Sequence, residues 1–286
     1  MITIFGIGTA GKNIASLFRE HKNYNIINFI SQEQYEGEML TQLECDILLK
    51  KANSPEECED LIPVLSEHRC EISDRIQVIL CGSSFSANYA LGILEQVRDK
   101  KIEIFYIKPD IDLLAGQAKL QENAVFGILQ EYTRSGLFHS MTIISNTKVE
   151  EIIGNVPIKN YFSTLNQTIY YVIHYMNYFA NKKPLIGNLS KPSDVQRIRT
   201  FGMINPQNLS EKMFYELDMA RDTSYYVCIT SSRLESDGTL HKKLVDTLKN
   251  KPRNAFKNLS YAIYESNTEN DFGFCIAHTN AVQSNS

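Results

Sequence analysis

The chain has 286 residues, of which 43% are hydrophobic and 22% charged, with a formal net charge of −4. That length suits one large domain or two ordinary ones around a sizeable apolar core, and the composition is unlike that of a disordered polymer. With no basic surplus, nucleic acid is not an expected partner, but phosphate groups remain within reach because backbone N–H groups at a helix start bind them without net charge.

The six cysteines, Cys45, Cys58, Cys70, Cys81, Cys228 and Cys275, form no C-x-x-C pair and read as reduced thiols. The first residues lack the basic start of a signal peptide, and the most apolar stretch, residues 169–180, is short and contains His174 and Asn177. A soluble, cytoplasmic protein without a membrane segment is expected.

Strands and helices alternate from the first residue. Residues 1–7 read as a strand, 10–21 as a helix and 25–30 as a second strand. Residues 38–50 and 55–70 read as helices, the latter opened by Ser54 as N-cap and Pro55 at the first helical position. A third strand at 75–81, a helix at 86–99, a fourth strand at 102–107, a long helix to Tyr132 and a fifth strand at 139–144 follow. This order predicts a Rossmann-like parallel sheet covered on both faces. Ligands bind such sheets at the carboxyl ends of the strands, here after Phe5, Ile30, Leu80, Ile107 and Ile144.

Residues 158–181 carry Phe162, Leu165, Ile169, Val172, Ile173, Met176 and Phe179 at helical spacing, which predicts a long central helix buried between two domains. Residues 182–193, with Pro184, Gly187 and Pro192, read as a loop. Helices at 194–201 and 209–217, a strand at 225–230, a helix at 240–249 and strands at 259–264 and 272–278 complete the pattern. Two consecutive final strands imply an antiparallel part and a smaller α+β domain. The expected division is 1–157, a connecting helix 158–181, a C-terminal domain 182–280 and a short tail 281–286.

Gly6-Ile7-Gly8-Thr9-Ala10-Gly11 spells G-x-G-x-x-G between a strand and a helix. The first glycine allows a tight turn, the second lets the backbone approach a phosphate, and the third permits close packing. A dinucleotide site would add an acid at the end of the second strand to hold the ribose. That strand runs from Asn25 through Asn28 to Ser31 with no acid before Glu33. An NAD-dependent Rossmann oxidoreductase stays as an alternative.

Extended to Lys12 and Asn13, the same run resembles the first nucleotide loop of FtsZ, the bacterial relative of tubulin. The resemblance continues in order along nearly the whole chain. Ile30-Ser31-Gln32-Glu33 falls at the second loop, and Lys51-Ala52-Asn53-Ser54-Pro55-Glu56 resembles the third. Lys108-Pro109 with Gly116 resembles the fifth loop and Ser145-Asn146-Thr147 the sixth. Phe162 and Asn166 stand at i and i+4 on the central helix, where the family sets an aromatic ring and an amide against the guanine base. The run from Asp222 to Thr230, a helix and two strands resemble its second domain.

Two segments depart from the family pattern. The fourth loop, a glycine-rich phosphate wrap in the family, reads Cys81-Gly82-Ser83-Ser84-Phe85-Ser86-Ala87-Asn88. One glycine is kept, Ser83, Ser84 and Ser86 are available as donors, and Phe85 has no counterpart. In the family, a catalytic loop after the central helix reaches the neighbouring subunit's nucleotide with carboxylates that position water and metal. Here Asp194 stands at the last acid, Lys191 at the first, and Asn188 one place from the expected asparagine. Asp194 also reads as an acid in a helix's first turn, favoured by the macrodipole.

The resemblance implies GTP or GDP with Mg²⁺, held by Gly6, Gly8, Thr9, Ala10, Gly11, Asn13, Gly82, Ser83, Ser84, Ser86, Asn146, Phe162 and Asn166. No protein metal ligands are expected, since the histidines show no ligand spacing. It further implies head-to-tail self-assembly into cytoskeletal filaments, with weak or absent hydrolysis through Asp194 and Asn188. The tail lacks the acidic-hydrophobic peptide of division FtsZ, which points to a divergent phage, plasmid or accessory type. A non-polymerising tubulin-like regulatory or structural protein is the alternative within the fold.

Overall fold

A computed structural model describes residues 1–31, 45–251, 258–266 and 268–284. The chain divides into two compact units, Met1–Tyr171 and Val172–Ser284, so the division falls inside one helix.

The first unit holds β1 (Ile2–Ile7), β2 (Tyr24–Ser31), β3 (Asp46–Leu49), β4 (Arg75–Cys81), β5 (Lys101–Lys108) and β6 (Ser140–Ser145). All pair in parallel, in the order β3-β2-β1-β4-β5-β6. The central strands are buried on both faces, as Ile76, Val78, Ile79 and Leu80 of β4 illustrate. Strand order reverses between β1 and β4, the place where open parallel sheets bind ligands. The helices are α1 (Gly8–Ser16), α2 (Ala90–Glu95), α3 (Gly116–Ser135), α4 (Asn146–Ile153) and α5 (Tyr161–Phe179).

Three expected helices in this unit are corrected. Within 38–50, residues 38–44 lie outside the described residues, and Asp46–Leu49 is strand β3, paired with β2 from Asn28 opposite Asp46. Ile47 and Leu49 are buried while Leu48 is exposed, the alternation of an edge strand. Segment 55–70 holds one helical turn at Glu57–Asp60 and a 3-10 turn at Leu65–Glu67. Pro63 between them lacks an N–H and pushes Ile62 out of helical geometry. Segment 86–99 begins as a 3-10 turn, Phe85–Tyr89, and is α-helical only over α2.

The second unit holds β7 (Ile186–Asn188), β8 (Ile198–Ile204), β9 (Glu211–Met213), β10 (Asp222–Thr230), β11 (Asn258–Ser266) and β12 (Phe272–Thr279), with α6 (Ser231–Ser236) and α7 (Leu240–Asn250). The order is β8-β12-β10-β11-β7, with β9 beside β8. Strands β10 and β11 are parallel, with α6 and α7 between them in sequence, and β12 runs antiparallel to β10 and β8. The last two strands are therefore not a hairpin. Leu240, Leu244 and Leu248, one turn apart on α7, cluster with Tyr225, Val227, Ile229 and Ile263. The alternate residues Tyr226, Tyr264 and Phe274 stack around Phe179 of α5.

In place of the helix expected at 194–201, residues 194–195 form a turn and residues 198–201 begin β8. Ile198, Thr200, Phe201, Gly202 and Ile204 are buried, with Arg199 half-buried and Met203 exposed. The helix expected at 209–217 carries strand β9, and the loop expected at 182–193 carries β7. The polar tail is tied down through Ser284. Gln283 is buried and accepts the Asp218 N–H at 2.7 Å, and the Tyr215 hydroxyl donates to the Ser284 carbonyl at 3.2 Å.

His278 on β12 is buried, with Nδ1 3.4 Å from the Gln196 carbonyl oxygen. Burial, and then the charge of Arg199, hold its pKa down at about 3, against 6.5 for a free imidazole. The unfolded chain binds this proton more tightly, so stability present above pH 6.5 is lost as pH falls toward 3. The slope from this group approaches ~1.4 kcal/mol per pH unit. Urea midpoints across that range are expected to follow this slope, and His278→Gln to flatten it. Identical slopes in both proteins would contradict the assignment.

Candidate functional site

Because β1, β4, β5 and β6 are parallel, the loops after Ile7, Cys81, Lys108 and Ser145 lie along one edge of the sheet. Two of them meet. Gly8 has φ +73°, which glycine adopts at no steric cost. A Cβ there would lie 2.6 Å from Ser84 Oγ and 3.5 Å from Ser86 Cβ. The tight turn thus belongs to Gly8, while Gly6 lies within β1. A Cβ on Gly6 would sit 2.6 Å from Asn28 Oδ1, so Gly6 makes room for that amide. Asn28 is buried, and its Nδ2 donates to Asp46 Oδ1 at 2.9 Å, which also takes Arg19 at 3.1 Å. Gly11 packs α1 on the sheet, where a Cβ would overlap the Ile79 carbonyl oxygen. Thr9 and Asn13 are exposed on α1, and Ala10 is half-buried.

The fourth loop is braced from within. Ser84 N–H donates to the Cys81 carbonyl at 3.1 Å, and Ala87 N–H to the Ser84 carbonyl at 2.9 Å. Gln121 Nε2 on α3 donates to the carbonyls of Gly82 (2.9 Å) and Ser84 (2.7 Å), and Asn88 Nδ2 donates to Gln121 Oε1 at 3.3 Å. Gly82 sits on two buried side chains. A Cβ there would overlap the Tyr106 hydroxyl and lie 2.6 Å from Glu122 Oε2. Burial pushes the Glu122 carboxyl above the usual carboxylate range, against the opposing influence of the Tyr106 hydroxyl, Lys108 and the Ser83 N–H. Burial lowers Lys108, opposed by Glu122, and its Nζ lies 4.3 Å from the centre of the Phe126 ring. Ser83 and Ser84 are half-buried and Ser86 is buried. Phe85 sets its ring edge-on to Tyr89, whose hydroxyl donates to the Lys50 carbonyl at 2.6 Å and so joins the fourth loop to the third.

The remaining loops are capped locally. Asn53 gives its N–H and side-chain amide to Glu57 Oε2 at 2.8 and 3.0 Å. Ser145 Oγ caps α4, accepting from Lys148 N–H at 3.4 Å, and lies 2.7 Å from the Thr147 hydroxyl. Asn146 begins α4 and is half-buried. At the start of α5 the Tyr161 hydroxyl donates to Glu150 Oε2 at 2.6 Å, which with burial and the charges of Glu150 and Asp110 pushes its pKa up to about 12. Asp110 follows Pro109, so the fifth loop, α4 and α5 converge. One residue further on, Phe162 is 70% exposed while Leu165 and Ile169 are buried. Phe162 is not core. Asn166, one turn later, is half-buried. Tyr170 fixes α5 on the segment after α1, with its ring 4.7 Å from Phe18 and its hydroxyl 2.7 Å from His21 Nε2.

In the second unit, Asn188 is exposed on β7 opposite Tyr261. Asp194 lies in a turn closed by Gln196 N–H on the Ser193 carbonyl at 2.8 Å, and no helix starts there, so the macrodipole explanation of this acid falls. Lys191 Nζ is 3.3 Å from Asp194 Oδ1, with both side chains more than four-fifths exposed at 85% and 82%.

No protein-family model matches the sequence, and a search of curated proteins finds no match. Solved structures do match. A dimer of FtsZ from M. jannaschii superposes with a TM-score of 0.67 at 14% identity, covering 97% of this chain and 87% of that one. A two-stranded filament of TubZ-Bt gives 0.71 at 14% identity, covering 97% and 84%. A GTPγS-form protofilament of TubZ from Bacillus thuringiensis serovar israelensis gives 0.68 at 14%, covering 98% and 86%. The chain has the tubulin/FtsZ fold.

Within this tubulin/FtsZ fold, Gln121, Tyr106, Glu122 and Asp46 are the polar residues that sequence reasoning missed. None belongs to a motif, and each is recognised only by the backbone or side chain it touches. Among the described residues, no three His, Cys, Asp or Glu side chains gather as a metal site, and no helix is long and apolar enough to cross a membrane.

Proposed function

We propose that this chain binds a guanine nucleotide at the carboxyl edge of its parallel sheet and assembles head to tail into filaments, with weak or absent GTP hydrolysis. The contact of the Gly8 turn with Ser84 and Ser86, at the strand-order reversal, carries the reading. It leaves backbone N–H groups of two glycine-bearing loops side by side, a cradle suited to phosphates. Phe162, with its ring largely bare, and Asn166 one turn later are suited to stack on and pair with a base. A Mg²⁺ would be held through the phosphates and water, as this ion commonly is.

Purified protein is expected to retain or bind GTP or GDP, with Asn166→Ala weakening binding by roughly 1–3 kcal/mol. Tight NADH binding without measurable affinity for GTP or GDP would instead support the oxidoreductase alternative.

Assembly is supported by the neighbours of like fold, which include a dimer, a protofilament and a two-stranded filament. A contact that does not close on itself gives filaments, and here the loop with Asn188 and Asp194 would face the next subunit's nucleotide. GTP-dependent sedimentation and electron microscopy test this. A strict monomer at high concentration with GTP bound would leave the non-polymerising alternative. The exposed Lys191–Asp194 pair supports weak hydrolysis, since Lys191 occupies one of two acidic positions.

A further inference from the structure

We propose that Gln121 shapes the phosphate-binding loop, replacing with side-chain hydrogen bonds the conformational freedom that extra glycines would bring. The inference rests on the nucleotide reading above and assigns a positioning residue to that site.

The loop from Cys81 to Asn88 contains one glycine, Gly82. Its serines and Phe85 have the ordinary restricted backbone of residues with a Cβ. Gln121 supplies an outside constraint at three points. Its Nε2 holds the carbonyls of Gly82 and Ser84 at 2.9 and 2.7 Å, and its Oε1 receives Asn88 Nδ2 at 3.3 Å. The Asn88 contact orients the amide, because an amide nitrogen donates and an amide oxygen accepts.

These bonds have an electrostatic consequence. Carbonyl oxygens carry partial negative charge and would repel a phosphate. The Ser84 carbonyl accepts from both Gln121 and the Ala87 N–H, the latter at 2.9 Å, so both of its lone pairs are used. In a trans peptide the C=O of one residue and the N–H of the next point opposite ways. Holding the Ser84 carbonyl toward α3 therefore turns the Phe85 N–H away from α3. Beneath the loop, Gly82 can approach α3 only because it has no side chain to meet Tyr106 and Glu122. Tyr106 of β5 and Glu122 of α3 thus set the depth of the loop, and Gln121 of α3 the direction of its dipoles.

The test is calorimetric titration of the full chain with GTP, GDP and guanosine. Gln121→Leu removes the donors, and Gln121→Met removes them while keeping an unbranched, uncharged side chain of similar length. Each is expected to lower affinity for GTP and GDP by about tenfold or more, the scale of a lost positioned hydrogen bond, with guanosine affinity unchanged. Adding Asn88→Ala to Gln121→Leu should cause little further loss, since the two residues act as one unit. If Gln121→Leu does not fold, the uncharged, unbranched Gln121→Met carries the comparison. Undiminished GTP affinity in the variants overturns the inference and leaves the nucleotide reading intact. An equal loss for guanosine also overturns it, because a merely structural role would give that result. A wild-type chain that binds none of the three ligands overturns the nucleotide reading and this inference with it.

Discussion

Gly11→Ala is expected to cost on the order of 3 kcal/mol of stability. The new methyl group would overlap the Ile79 carbonyl oxygen. That oxygen belongs to β4, which is paired on both sides, with β1 and β5, and cannot yield as a flexible side chain would. Relief must come from α1 lifting off the sheet, which would disturb the packing of the fully buried Ile14 and Ala15 on the same helix. At 2–4 °C per kcal/mol for a chain of this size, the melting temperature should fall by roughly 6–12 °C. Gly127→Ala is the control. It lies within α3, a Cβ there meets nothing within 4 Å, and alanine is the better helix former by about 1 kcal/mol. Thermal and urea denaturation followed by circular dichroism should separate the two variants in opposite directions. Equal midpoints would mean that α1 does not pack on β4 as described.

Lys191→Asp is expected to raise phosphate release on the order of 10²-fold over wild type, the contribution of one positioned acid or base. The wild-type ammonium lies 3.3 Å from Asp194 Oδ1, and a charged lysine cannot take a proton from water. The substitution releases Asp194 from the ammonium and adds a second carboxylate to position water. The assay must be run at concentrations where the protein sediments with GTP, because in the proposed filament this loop acts on the next subunit. No gain would show that the acid at 191 does not limit turnover. Brisk wild-type turnover abolished by Asp194→Ala would show instead that Asn188 and Asp194 already form a working pair.

The parallel sheet was legible because its central strands are buried on both faces and read as unbroken runs, as in Ile76-Gln77-Val78-Ile79-Leu80. Strand β3 was not legible. Its four residues bury only Ile47 and Leu49, too short a pattern to separate from a helix. Strand β8 misled for a different reason. Val195, Ile198 and Phe201 recur every third residue, as in a helix, while two of the buried strand positions, Thr200 and Gly202, carry no apolar signal. At the candidate site the residue types at Gly6, Gly8 and Gly11 were readable, but which glycine makes the turn depends on what each one meets. Periodicity put Phe162 on the apolar stripe of α5 with Leu165 and Ile169, yet it stands largely in solvent. Gln121 gave no signal at all, being one amide in a polar stretch of α3 whose partners lie 39 and 37 residues away.

The place of β12 in the second unit bears on how the chain matures during synthesis. It is the strand that joins β8 to β10. On the ribosome, β10, α7 and β11 emerge before it and can form their parallel crossover unit early, since domains fold as their parts become available. Strand β8, made still earlier, must wait for residues 272–279 before it gains that neighbour. A nascent or proteolytically trimmed chain ending before Phe272 would therefore leave an unpaired edge on β8 and another on β10. Such edges are prone to adding foreign strands, so ribosome stalling before the codon for Phe272 should yield aggregates rather than a shortened but folded product.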